Sequence, residues 1–129
     1  MMKRAFYIFG VILLINICSC TNSSKTVSIT DYGVKPDTRE DIALAVKKLI
    51  SDLQQRTDTG RVIVVFPKGT YHFYEDNSIE REYYISNHDQ SNPKRVGLAL
   101  ENLKNVTIEG KGSTFIFHGR MIPMSILNS

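Results

Sequence analysis

Cysteine is missing from most of this 129-residue chain: its two, Cys18 and Cys20, both lie near the N-terminus. The body beyond them therefore has no disulfide framework and no cysteine-based metal site. Its cohesion must come from apolar packing and backbone hydrogen bonding. A strong excess of one charge is missing too. The formal net charge is +3, and without Lys3 and Arg4 the basic count falls from 16 to 14 against 13 acids. That leaves no electrostatic footprint for nucleic acid. A long apolar run is also absent. Ala5 to Ile17 is broken by Asn16 and is short of the ~20 residues a membrane-spanning helix needs. Gly110-Lys-Gly112 lacks the Gly-Lys-Ser/Thr ending of a phosphate loop. There is no Ser/His/Asp elbow and no nucleotide fingerprint, so no cofactor is expected, and no metal.

The N-terminus does carry a pattern. Met1 to Arg4 is basic, Ala5 to Ile17 is mostly apolar, and Cys18-Ser19-Cys20 follows. Charged, apolar, then small is the layout of an export signal. Ile17 to Cys20 resembles the lipobox of bacterial lipoproteins. The resemblance implies a signal over 1–19, a lipid-bearing Cys20 and a polar tether over 20–26. It also implies export and anchoring on a bacterial membrane. Acyl chains hold such an anchor with about 0.8 kcal/mol per buried CH₂.

From Val27 onward the pattern is one of short strands and tight corners. Val27 to Gly33 alternates apolar and polar residues and stops at glycine. Thr38 with Asp41 three residues on reads as a capping box. Ile42, Val46, Leu49, Ile50 and Leu53 then form one apolar stripe at helical spacing. An amphipathic helix is expected over about 38–56, covering one end of the stack and its unpaired backbone groups. Arg61 to Phe66 is nearly continuous in apolar character, as in a strand buried on both faces. Pro67-Lys-Gly69 is a corner, and Tyr71 to Tyr74 is the next strand. Glu75 to Glu82 reads as an acidic loop, Tyr83 to Ile85 as a brief strand, and Ser86 to Arg95 as a polar excursion. Val96 to Leu100, Val106 to Ile108, Thr114 to Phe117 and Ile126-Leu127 follow at fairly even spacing. The expected class is mainly β, the opening of a parallel β-helix over 27–129 that stops after a few coils.

Asp31 to Asp37, the helix, and Val65 to Tyr71 together resemble the opening of pectin-lyase-like right-handed β-helix proteins. Tyr84 to Leu100, Leu103 to Gly112 and Phe115 to Met121 closely resemble the N-terminal region of family 110 glycoside hydrolases. These are exo-acting α-1,3-galactosidases. The resemblance implies a glycan partner with terminal α-galactose, inverting hydrolysis and no metal requirement. It covers only the first part of a family member, and the family's catalytic aspartates match no position here. No catalytic residue is therefore assigned to this chain. The alternative is a small non-catalytic β-helix module binding glycan or a partner at the cell surface.

Some side chains still need weighing. Glu80 and Glu82 lie two apart, as paired carboxylates for acid/base work would on one strand face. The charges around them favour a solvated surface. His88 with Asp89 provides too few ligands for a metal; these two, with Arg120 in a strand-ending corner, are the candidate glycan or interface contacts. Tyr71, Tyr74, Tyr83 and Tyr84 offer sugar-stacking faces, with packing as their ordinary role.

Overall fold

The computed structural model describes residues 23–84 and 91–129. The signal over 1–19, Cys20, and the His88 and Asp89 contacts lie outside the described residues.

Strand β1 (Lys25–Ser28) opens the fold and runs into a 3-10 turn over Ile29–Tyr32. Here, not at Thr38, a capping box forms. Ser28 Oγ accepts from the Thr30 N–H, and Asp31 returns a carboxylate oxygen to the Ser28 N–H at 3.0 Å. Gly33 closes the turn at φ 83°, a left-handed conformation that glycine adopts without steric cost.

Helix α1 spans Ala43–Gln54, five residues later than the sequence predicts at its start. The Thr38 hydroxyl donates to the Lys35 carbonyl instead, at 3.1 Å. Asp41 takes over the free helix end by accepting from the Ala43 N–H at 2.9 Å. The apolar stripe behaves as its spacing predicts. Ile42, Val46, Leu49 and Ile50 are buried, with Leu53 packed beside them.

Among the described residues seven strands follow: β2 (Val62–Val65), β3 (Thr70–Tyr74), β4 (Ile79–Arg81), β5 (Lys94–Glu101), β6 (Val106–Glu109), β7 (Thr114–His118) and β8 (Ile122–Leu127). They make three small sheets, ordered β1-β2-β6, β3-β7 and β4-β5-β8. The chain visits these sheets in the same order twice, first as β2, β3, β5 and then as β6, β7, β8. Each strand of the second pass lies parallel to its counterpart in the first. Val62 pairs with Val106, Thr70 with Thr114 and Val96 with Ile122. Among the described residues the architecture is thus mainly β with one α-helix. The described strands close no complete solenoid.

Two elements depart from the expected pattern. Glu75 to Glu82 holds a 3-10 turn over Glu75–Asn77 and the strand β4, which is antiparallel to β5. Tyr83 and Tyr84 form no strand. Antiparallel pairing places Glu80 opposite Arg95, and the two join in an ion pair at 2.9 Å. Cross-strand charge complementarity of this kind stabilises a short pairing that has little apolar area.

The core lies between the sheets and α1. Phe66, Tyr71 and Phe73 are almost fully buried and meet Phe115 and Phe117 of the next pass. Phe73 and Phe117 stack at 4.7 Å, while Phe66 meets Phe115 edge-on at 5.0 Å. Such pairs add about 0.5–1.5 kcal/mol each beyond burial. Gly97, in the middle of β5, makes room for this column, since a Cβ there would lie 2.5 Å from Phe117 Cε1.

Candidate functional site

The polar chemistry concentrates on the outer side of β3 and β7 and at the corner after β7. Alternation along β3 turns Tyr71 and Phe73 inward, leaving His72 and Tyr74 half-exposed on the other face. Register then places His118 opposite Tyr74. The rings of Tyr74 and His118 stack at 4.3 Å, only 7° from parallel. His72 Nδ1 meets His118 Nε2 at 2.8 Å. The sequence shows these two histidines on separate strands and gives no hint of their contact. The register sets His72 opposite Ile116 and Tyr74 opposite His118, so the two histidines meet diagonally on one face of the pair.

Beyond His118 the chain turns through Gly119 to Arg120. The Arg120 N–H donates to a Glu75 carboxylate oxygen at 3.1 Å. A cleft of about 330 Å³ opens here, lined by Glu75, Lys94, Arg95, Arg120, Met121 and Ile122 among others. Arg95 donates to the Glu75 carbonyl at 3.0 Å and pairs with Glu80. Arg120 itself is exposed at the rim. Three cations beside a carboxylate suit hydrogen bonding to hydroxyl groups. Among the described residues the cleft has one carboxylate, Glu75, which is held against this corner and beside Arg95. Glu80 is taken up by Arg95, and Glu82 is exposed beyond the end of β4.

A second polar cluster, unpredicted from sequence, is built around Glu101. It is 8% exposed and accepts from Tyr83 Oη and, at 2.8 Å, from Arg81 Nε. Tyr83 also meets Ser125 of β8 at 2.9 Å. Burial by itself would raise the Glu101 carboxyl, but the Tyr83 and Arg81 hydrogen bonds outweigh it and hold the group below its ordinary value. Burial pushes the Tyr83 hydroxyl up, and its bond to Glu101 adds to the rise. This arrangement ties β5, β8 and the segment after β4 together. Among the described residues no group of three or more His, Cys, Asp or Glu is placed to hold a metal ion.

The last notable surface is apolar. A cleft of about 530 Å³ at the β6–β8 edge is lined by Leu100, Leu103, Val106, Ile108, Phe115 and Ile126 among others. No helix of the described residues is long and apolar enough to cross a membrane.

Among the described residues, two sheet-to-sheet passes with parallel register lie behind a single amphipathic helix. The family model described as rhamnogalacturonase A/epimerase, pectate lyase-like, matches residues 26–86. The chain is 43% identical over 125 residues to α-1,3-galactosidase B of Phocaeicola vulgatus, and 42% identical over 124 residues to α-1,3-galactosidase B of Bacteroides fragilis. Each match takes in 95% of this chain and 21% of the relative. An α-1,3-galactosidase A of Shewanella woodyi is 36% identical over 107 residues, which is 83% of this chain and 17% of that protein. The sequence is consistent with the N-terminal region of the α-1,3-galactosidase family. The chain spans about a fifth of the length of these curated relatives.

Proposed function

We propose that this chain forms the N-terminal cap and opening turns of a right-handed parallel β-helix in an exo-acting α-1,3-galactosidase of glycoside hydrolase family 110. The substrate of that enzyme is a glycan ending in α-1,3-linked galactose. Inverting hydrolysis needs one carboxyl group to protonate the departing oxygen and a second to activate water, about 6.5–9.5 Å away. In this reading both belong to later turns, and the 129 residues do not catalyse the reaction alone. Support comes first from the repeated parallel register, Val62 with Val106 and Thr70 with Thr114, which is how successive turns of such a helix stack. The galactosidase relatives, matched along 95% of the chain, narrow the class. The apolar β6–β8 edge is where a following turn would lie.

The same proposal places the chain outside the cytoplasm. Cys20, released by cleavage after 1–19, carries the lipid, and 20–26 spaces the domain from the membrane surface. One preparation tests both parts. The chain is expressed in a bacterium that processes lipoproteins, recovered from membranes, weighed intact and offered an α-1,3-galactoside. An acylated chain beginning at Cys20 that releases no galactose is the expected result. Released galactose overturns the assignment of catalysis to other turns, and an unmodified chain beginning at Met1 overturns the anchor.

A further inference from the structure

The cleft at the corner after β7 is built by both passes of the fold. Glu75 comes from the turn after β3, Lys94 and Arg95 from the start of β5, and Arg120, Met121 and Ile122 from the step between β7 and β8. Its volume of about 330 Å³ lies at the lower end of the ~300–1,000 Å³ of small-molecule sites. Most of its charge is already spent. Arg95 donates through Nη1 to the Glu75 carbonyl at 3.0 Å and pairs through Nη2 with Glu80 at 2.9 Å. Its Nε lies 3.9 Å from one Glu75 carboxylate oxygen. The other Glu75 oxygen accepts from the Arg120 N–H at 3.1 Å. The Arg120 guanidinium is different. It is exposed at the cleft, and among the described residues it meets no acceptor.

We propose that this cleft is a subsite for a negatively charged sugar, a pyranose bearing a carboxylate or sulfate group, with the Arg120 guanidinium as the anchor for the anion. The proposal rests on the reading of this chain as part of a glycan-degrading enzyme, and it names a class of sugar that this chain itself would hold. The charge balance favours an anion over a neutral sugar. Lys94, Arg95 and Arg120 bring three positive charges to the corner, and Glu75 and Glu80 bring two negative ones, so one positive charge is left over. Guanidinium presents its N–H donors as a planar fork. A carboxylate or sulfate takes two of them at once, in charge-assisted bonds about twice as strong as neutral ones. The rest of a sugar ring also finds partners. An ionised carboxylate has about four acceptor sites, so Glu75 can receive a ring hydroxyl while still holding the Arg120 N–H. Met121 and Ile122, both half-buried, offer apolar surface to the C–H side of the ring.

The corner fixes the point from which this anchor reaches out. Gly119 has φ 97°, in the left-handed region, and a Cβ there would run into the Glu75 carboxylate. Without one, the carboxylate lies against the backbone and bonds the next N–H, which sets where the Arg120 side chain leaves the chain. Arg95, tied to both Glu75 and Glu80, holds the facing wall. Lys94 stands beside it, its Nζ 3.5 Å from the Ser91 carbonyl, and adds to the positive field. The fold thus consumes the charge of Arg95 and leaves that of Arg120 for a ligand.

Three fluorescently labelled trisaccharides on a galactose skeleton test this: trigalacturonate, a sulfated galactotriose and neutral galactotriose. Their anisotropy is followed as the full chain is added at low ionic strength. At least one anionic probe should bind about tenfold more tightly than the neutral one, and the two anionic probes compared tell carboxylate from sulfate. Arg120→Gln keeps the backbone N–H that holds Glu75, and it should weaken the anionic probe by about tenfold. Lys104→Gln removes the same charge from an exposed position beyond the far end of β5, and it should leave binding within about twofold of the parent. An equal loss in both variants would mean that overall charge attracts the probe, and it overturns the subsite. A neutral probe bound as tightly as the anionic ones overturns it too, as does the absence of binding by both anionic probes. Binding is read here without hydrolysis, so these outcomes strike the subsite alone and leave the galactosidase reading to be judged by galactose release.

Discussion

Glu101 shows how a single buried carboxylate becomes a structural tie. Its charge survives burial only because Tyr83 and Arg81 donate to it, and its folded value is thereby lowered. A carboxylate lowered on folding contributes stability above its unfolded value and loses it as pH falls through the folded one. The Arg81 side chain is 40% exposed, so water screens part of that contribution. Hydrogen bonds to a charged group are worth about 1.5–3 kcal/mol. Glu101→Gln keeps the shape and one acceptor but loses the charge. It should cost about 1–2 kcal/mol at neutral pH, and the gap from the parent should narrow as pH falls from the ordinary carboxylate range through the lowered folded value. Denaturant melts at neutral and acid pH measure this. An equal loss at both would show that charge is not what holds the cluster.

At the scale of elements, Asp41 and Thr38 separate local pattern from tertiary choice. The sequence offers Thr38 with Asp41 as a capping box, yet the helix begins at Ala43 and Asp41 is its partner. Asp41 also accepts from the Tyr74 N–H at 3.2 Å and from Asn77 Nδ2 at 2.8 Å, contacts that only the fold can bring to it. Asp41→Ala should therefore destabilise by about 2 kcal/mol, at the upper end for a lost cap. Thr38→Ala should change stability by less than about 0.5 kcal/mol. Chemical denaturation of the two variants would distinguish them, and a reversed order would restore Thr38 as the cap. The same division explains what the sequence makes legible. The helical stripe from Ile42 to Leu53 and the apolar run Val62 to Phe66 declare themselves, because periodicity and burial are local signals. The strand β4 does not. Ile79 is its single apolar residue, and its pairing depends on Glu80 meeting Arg95 across the register. The contact of His72 with His118 and the burial of Glu101 needed strand order as well as strand identity. Of the sequence-derived contacts, only Arg120 falls within the described residues, at a cleft rim where its neighbours Glu75 and Arg95 come from distant segments.

At the scale of the whole molecule, the two ends of the strand stack are unlike. Helix α1 packs on β3, β5 and the turn after β1. The opposite edge shows Met124 47% exposed, Ile126 63% and Leu127 45%, beside the apolar cleft of about 530 Å³. Contiguous apolar surface next to unpaired strand groups is a template for another strand. In the proposed enzyme a following parallel turn takes that place. In a preparation of the 129 residues by themselves, the open edge should drive concentration-dependent association. Ile126→Lys puts a charge on the most exposed of these side chains, and lysine is a common means of blocking edge pairing. It should shift the chain toward monomer at equal concentration, at a cost of less than about 0.5 kcal/mol because the side chain is already largely in water. Light scattering coupled to size exclusion reads the outcome directly. A parent chain that stays monomeric at high concentration would show that this face has no tendency to pair, and would remove one support for reading it as the seat of the next turn.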